Sequence, residues 1–81
     1  MLRLNTATKL NPGEVVGKAL TFFGPDGYGL KVTKQGDTYI YFEGGGGSVQ
    51  IIAYMDGKET SVDMETREWE HQIKEFVDKI K

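Results

Sequence analysis

The segment YGLKVTKQGDTYIYFEGGGGSVQIIAYMDGKETSVDM, residues 28–64, alternates apolar and polar side chains with a period of two. This alternation indicates half-buried β-strands. It predicts four strands, over residues 28–33, 38–43, 48–55 and 59–64. Because the connections between these segments are short, the strands are expected to form an antiparallel meander.

Turn-forming residues separate the predicted strands. Gly36-Asp37 lies between the first two, and Asp56-Gly57, a strong hairpin sequence, lies between the last two. Four glycines, residues 44–47, separate the second strand from the third. A glycine-rich loop can cradle phosphate when a helix begins after it, but here another strand follows. We interpret residues 44–47 as a flexible hairpin connection.

A helical period follows the last predicted strand. Apolar residues recur at helical spacing and form one stripe of an amphipathic helix near residues 66–80. Thr66 is a suitable N-cap for this helix. The stripe consists of Trp69, Ile73, Phe76, Val77 and Ile80. Trp69 is therefore predicted to be a core residue.

A second helix is predicted before the strands, over residues 12–23. Asn11 can cap it, Pro12 suits the first helical position, and Glu14 can complete a capping box. Gly24 follows as a stop signal. The alternative is an extended strand over residues 15–23, which would place Val and Phe side chains on both faces.

Residues 1–10 alternate only weakly and are either a short edge strand or a loose tail. The complete pattern predicts a single α+β domain over residues 1–81. Its elements follow the order α-β-β-β-β-α, with a possible extra N-terminal strand. Two amphipathic helices and one sheet bury their apolar faces most simply as a two-layer sandwich, with both helices on one face of the sheet.

The composition excludes several classes of protein. The chain has 81 residues, no Cys, one His and a formal net charge of −2. Disulfides are therefore excluded, and a structural zinc site, which uses several Cys and His ligands, is not expected. The 10 Lys and Arg are interspersed with 12 Asp and Glu. This balance argues against nucleic acid as the main partner, because nucleic-acid-binding domains usually carry a basic face.

The sequence shows no pattern typical of a signal peptide or of a membrane-spanning helix. The first residues lack the apolar stretch of a signal peptide. No apolar run approaches the roughly 20 residues of a membrane-spanning helix. Together with the absence of Cys, these features predict a soluble, cytoplasmic protein without a membrane partner.

No residues form a recognisable catalytic or metal-binding constellation. His71 is the only histidine, and Glu68 and Glu75 stand three residues before and four residues after it. Glu68 and His71 match half of a di-metal motif of helical bundles, but that site requires a second copy. An exposed, ion-paired helix surface explains these residues better. We therefore expect no enzymatic activity, no cofactor and no metal.

The outer face of the predicted sheet offers the best candidate for a binding surface. If the helices cover Ile40 and Phe42, pleating turns Tyr39 and Tyr41 to the opposite side. Such aromatic pairs can simply stabilise a sheet, or they can form an interface. The outward positions are Lys31, Thr33, Tyr39, Tyr41, Gln50, Ile52, Tyr54, Ser61 and Asp63. The predicted interaction residues among them are Tyr39, Tyr41, Ile52, Tyr54, Lys31 and Gln50.

Two functional hypotheses use this face. The first is a small, non-catalytic protein-interaction module that binds a protein partner or forms a homodimer. The second is a single-stranded nucleic-acid binder that stacks bases on the tyrosines. Salt dependence separates the two hypotheses, because phosphate contacts weaken steeply as salt is added.

Overall fold

The computed structural model describes all of residues 1–81, and it confirms the predicted α+β fold. Five strands and two helices follow one another in the order β-α-β-β-β-β-α. The elements are β1 (Leu2–Thr8), α1 (Pro12–Phe23), β2 (Lys31–Gln35), β3 (Tyr39–Gly44), β4 (Gly47–Asp56), β5 (Glu59–Arg67) and α2 (Glu70–Ile80).

The five strands form one sheet in the order β1-β5-β4-β3-β2, and all neighbouring strands are antiparallel. The predicted meander accounts for β2 to β5. The N-terminal segment is the edge strand rather than a loose tail, because Leu2 to Thr8 pair with Thr66 to Thr60 of β5. The Thr8 hydroxyl also donates a hydrogen bond to the carbonyl of Ile80, which ties β1 to the end of α2.

Both helices pack on the same face of the sheet. Helix α1 lies over β3 and β4, whereas α2 lies over β5 and β1. The core between the two layers consists of Val15, Val16, Ala19, Phe23, Leu30, Ile40, Phe42, Val49, Ile51, Ala53, Val62, Met64, Ile73, Phe76 and Ile80. Neither helix is long and apolar enough to cross a membrane.

Helix α1 begins with a complete capping box. The Asn11 side chain accepts a hydrogen bond of 2.8 Å from the Glu14 amide, and Glu14 Oε1 accepts one of 3.3 Å from the Asn11 amide. These bonds satisfy amides that have no partner within the helix. The helix therefore has the predicted bounds, and the alternative strand over residues 15–23 is wrong.

Helix α2 begins later than predicted, at Glu70. Thr66 is not its N-cap, because Thr66 lies in β5 between Leu2 and Val49 and its hydroxyl donates to the Ser48 carbonyl at 2.8 Å. Pairing on both sides thus extends β5 beyond the predicted end. The chain then turns at Glu68, whose φ is +69°. Trp69 occupies the N-cap position and is half-buried against the core rather than fully inside it.

Strand β2 also begins later than predicted, at Lys31. Tyr28 lies instead in a tight connection after α1, closed by hydrogen bonds from the Gly27 and Gly29 amides to the Gly24 carbonyl, both 2.9 Å. A β-bulge at Thr33 interrupts the pairing of β2 with β3. As a consequence, the strict alternation predicted for this strand ends at the bulge.

The four glycines form the predicted hairpin connection, and the turn itself is tight. Gly44 and Gly47 are the last pair of β3 and β4, so only Gly45 and Gly46 form the turn. Their φ angles are +58° and +80°. Two positive φ angles in a two-residue turn match the right-handed twist of the flanking strands, and glycine adopts them without a steric penalty.

Candidate interaction face

The side of the sheet opposite the helices is uncovered, and we call it the open face. Its residues alternate with the core positions along each strand. Cross-strand pairing aligns them in rows that run across the sheet. The two central rows are Tyr39, Ile52, Asp63 and Asn5, and Lys34, Tyr41, Gln50, Glu65 and Arg3.

The aromatic part of the open face lies on β3 and β4. The rings of Tyr39 and Tyr41 are 5.6 Å apart between centroids, and both side chains are half-buried. Ile52 is 39% exposed and Tyr54 is 45% exposed. An exposed isoleucine beside three tyrosines forms a continuous, partly apolar surface that no element of the chain covers.

The β2 edge of the open face carries two lysines. Lys31 lies on this face, as alternation predicts, and pairs with Glu43 of β3. The bulge brings Lys34 opposite Tyr41, and its Nζ lies 5.7 Å from the centre of the Tyr39 ring. This is within the range of a cation–π contact. Alternation alone turns Lys34 toward the helices, so sequence reasoning missed it.

The β5 side of the open face is acidic and hydrogen-bonded to β1. Asn5 Nδ2 donates to Asp63 Oδ1 at 2.6 Å and to Ser61 Oγ at 2.9 Å. Arg3 Nε lies 3.4 Å from Glu65 Oε1. Sequence reasoning also missed the β1 residues of this face, because it left the pairing of residues 1–10 open.

The open face therefore changes in charge from one side to the other. Lys31 and Lys34 lie at the β2 edge, with Glu43 opposite Lys31. Asp63 and Glu65 lie on β5, with Arg3 of β1 beside Glu65. Gln50 is exposed on β4 between the two sides. An aromatic and aliphatic centre with a basic and an acidic flank is a surface suited to recognition of a complementary surface.

Comparison with protein families, curated proteins and solved structures finds no match to this chain.

The helix side of the molecule carries the only histidine. The His71 side chain is 83% exposed, and its Nε2 lies 3.8 Å from Glu75 Oε1. Glu68 precedes α2 and does not share a helical face with His71, so Glu75 alone forms the ion pair with it. No group of three or more His, Asp or Glu side chains is arranged to hold a metal ion.

Tyr28 is linked to α2 through the same carboxylate. Its hydroxyl donates a hydrogen bond of 3.1 Å to Glu75 Oε1. The pKa of Tyr28 is raised above its ordinary value. This hydrogen bond is the largest cause, and desolvation and the negative charge of Glu75 contribute less. The contact favours the neutral phenol, so its contribution to stability is present at neutral pH and is lost as the pH rises through the raised pKa.

We expect the Glu75→Ala variant to lower the pKa of Tyr28 toward its ordinary value, because the acceptor and its charge are both removed. Ultraviolet absorbance of the phenolate during an alkaline titration measures the shift. A Tyr28→Phe variant identifies the part of the signal that belongs to Tyr28. A titration curve that is identical in wild type and Glu75→Ala would contradict the assignment of this hydrogen bond.

Proposed function

We propose that this protein is a small, non-catalytic protein-interaction module that binds its partner through the open face. The observation that carries the proposal is the exposed row in which Tyr39 pairs with Ile52, flanked by Tyr41 and Tyr54. Tyrosine is enriched in the buried centres of interfaces. The sheet beneath this row is paired on both sides of β3, β4 and β5, so binding requires little ordering of the backbone.

The partner that best complements the open face is a second copy of the chain. In the dimer that we propose, two open faces stack on each other. The two-fold axis runs parallel to the strands, midway between the two sheets and above the line that separates β3 from β4. The axis places β4 of one copy over β3 of the other, so that Ile52 meets Tyr39. It also places β5 over β2, so that the acidic residue Glu65 faces the basic residue Lys34. Two-fold dimers are the commonest oligomers, and sheets that pack face to face keep their strand directions within about 30° of each other.

A single-stranded nucleic acid is the alternative partner. The adjacent rings of Tyr39 and Tyr41, with Lys34 close by, resemble a stacking platform beside a positive charge. Asp63 and Glu65 oppose this use, because they place negative charge in the same cross-strand rows as Tyr39 and Tyr41, one strand further on, where a phosphate backbone would run. The charge pattern therefore favours a protein surface.

Replacing Tyr39, Tyr41 and Tyr54 together by Thr should weaken self-association by about 100-fold or more, because buried interface tyrosines often contribute over 2 kcal/mol each. Threonine retains β-propensity, so the sheet should persist. Sedimentation equilibrium measures the association, and circular dichroism confirms the fold. A wild-type chain that stays monomeric at all concentrations would exclude the homodimer. Salt-sensitive oligonucleotide binding that is lost in the variant would support the alternative.

A charge exchange tests the orientation of the dimer. The Lys34→Glu and Glu65→Lys variants should each associate less well than wild type, because each homodimer would carry two repulsive contacts. An equimolar mixture of the two should associate again, since both contacts then join opposite charges. A Lys58→Glu variant, with its change in the exposed β4–β5 turn, is the control. If the mixture does not recover association, the proposed axis is wrong.

A further inference from the structure

The helix layer contains a surface groove, on the side opposite the open face. It is a groove of about 770 Å³ between α1, α2 and the connection that follows α1. Phe22 and Tyr28 line its walls, and the fully buried Phe76 lies at its base. Its volume lies within the range of small-molecule sites, which are typically apolar with a few polar groups at their edges.

The rim of the groove carries an excess of positive charge. Lys18 and Lys79 line it from opposite helices, and Glu14 is its only carboxylate. Glu14 already accepts the Asn11 amide in the capping box. Neither lysine takes part in an ion pair; the three ion pairs of the chain lie elsewhere. Lys79 Nζ lies 5.7 Å from the centre of the Phe22 ring, which is a cation–π distance. Two ammonium groups without a carboxylate partner, beside an aromatic wall, complement an apolar anion.

Gly17 supports a role for this groove independently of its charge. It lies in the middle of α1, where glycine costs roughly 1 kcal/mol relative to alanine. Close packing does not explain it, because a Cβ at this position would meet no atom within 4 Å. Gly17 lines the groove, so the missing side chain leaves the space between the helices open.

We propose that this groove binds an amphipathic organic anion of the alkyl carboxylate kind. Its apolar chain would lie against Phe22 and Tyr28, and its carboxylate would meet the ammonium groups of Lys18 and Lys79. The occupant we propose is a small ligand rather than a protein segment, because two helices and the connection after α1 bound the groove and a buried ring lies at its base. The site is separate from the open face, and binding at one does not require the other.

Decanoate is the probe, used below its micellar concentration and followed by amide chemical shifts of the uniformly ¹⁵N-labelled chain. We expect saturable shifts centred on Gly17, Thr21 and Tyr28. Decyltrimethylammonium has the same chain and the opposite charge, and it should bind at least about ten-fold more weakly, as expected for two lost charge contacts. Equal binding of both probes, or no saturable shift with decanoate, would overturn the proposal.

Two variants of Gly17 separate filling of the groove from damage to the helix. Gly17→Leu should weaken decanoate binding by about ten-fold or more, because its side chain occupies the site. Gly17→Ala should leave the affinity within about two-fold, since it adds a single methyl group. Both should melt at or above the wild-type temperature, because both raise helix propensity. Unchanged affinity in Gly17→Leu would place decanoate elsewhere and overturn the proposal.

A matched pair of double variants tests the two ammonium groups. Lys18→Gln with Lys79→Gln should remove most of the preference for decanoate over decyltrimethylammonium. Lys58→Gln with Lys74→Gln makes the same change in net charge away from the groove, and it should retain the preference. An equal loss in both pairs would mean that net charge alone attracts decanoate, and this would overturn the site. The variant in which Tyr39, Tyr41 and Tyr54 are replaced should still bind decanoate. Failure of the groove proposal can therefore be told apart from failure of the proposal for the open face.

Discussion

Replacing Phe23 by Ala should lower the free energy of unfolding by about 3–5 kcal/mol, the usual range for a buried phenylalanine. Phe23 ends α1 and is fully buried. Its ring lies 4.8 Å from Phe22, 5.7 Å from Phe42 and 5.7 Å from Phe76, measured between centroids. It therefore joins both helices to the sheet, and a cavity at this position removes contacts from all three.

Urea denaturation, monitored by circular dichroism, measures this decrease in the free energy of unfolding. Domains of this size have little stability to spare, so we expect Phe23→Ala to be partly unfolded in the absence of a stabilising salt. Phe23→Leu keeps most of the volume and should cost less than about 1.5 kcal/mol, which gives a measurable companion. A cost below about 1 kcal/mol for Phe23→Ala would mean that Phe23 is not the central contact between the layers.

Local signals account for the parts of the fold that were predicted correctly. The capping box at Asn11 and Glu14 and the stop at Gly24 set the bounds of α1, and all three act within a few residues. Alternation along each strand is also a local signal, and it correctly predicts which residues of β3 lie on the open face. Tyr39 and Tyr41 alternate with Ile40 and Phe42, and the more apolar pair lies under the helices.

Non-local pairing accounts for the parts that could not be predicted. Thr66 is a good N-cap by its chemistry, but β1 and β4 hold it in a strand from both sides. The bulge at Thr33 is a mismatch in length between two strands, and neither strand alone reveals it. The missed residues of the open face, Lys34, Arg3 and Asn5, all depend on such pairing. The groove likewise depends on the separation of α1 from α2.

Trp69 has the helical spacing of a core residue, but its role in the structure is to connect three segments of the chain. Its spacing from Ile73 and Phe76 predicts a core residue, but the helix begins after it. Trp69 Nε1 donates a hydrogen bond of 2.9 Å to the carbonyl of Gly44, and its ring lies 5.7 Å from that of Tyr28. The half-buried indole thus joins the β3–β4 turn and the connection after α1 to the start of α2.

Trp69→Ala should lower the free energy of unfolding by about 3 kcal/mol, the lower end of the range for large aromatic side chains, because the indole is only half-buried. Trp69→Phe keeps a ring but loses the hydrogen bond to Gly44, and it should cost at least about 1 kcal/mol. Urea denaturation measures both variants. An unchanged unfolding midpoint in Trp69→Ala would show that the indole does not hold these three segments together.

A double-mutant cycle with Gly45 isolates the contact between the indole and the turn. A Cβ at Gly45 would lie 2.8 Å from Cζ2 of Trp69, and the φ of this glycine is +58°. Gly45→Ala therefore meets two penalties in the wild type: backbone strain of about 1–2 kcal/mol and a clash with the indole. In the Trp69→Ala background only the strain remains, so the same substitution should cost less there. Equal costs in both backgrounds would mean that the ring does not rest on the turn, and the effect of Trp69 would then come from its hydrogen bond to Gly44 and its contacts with Tyr28 and the core.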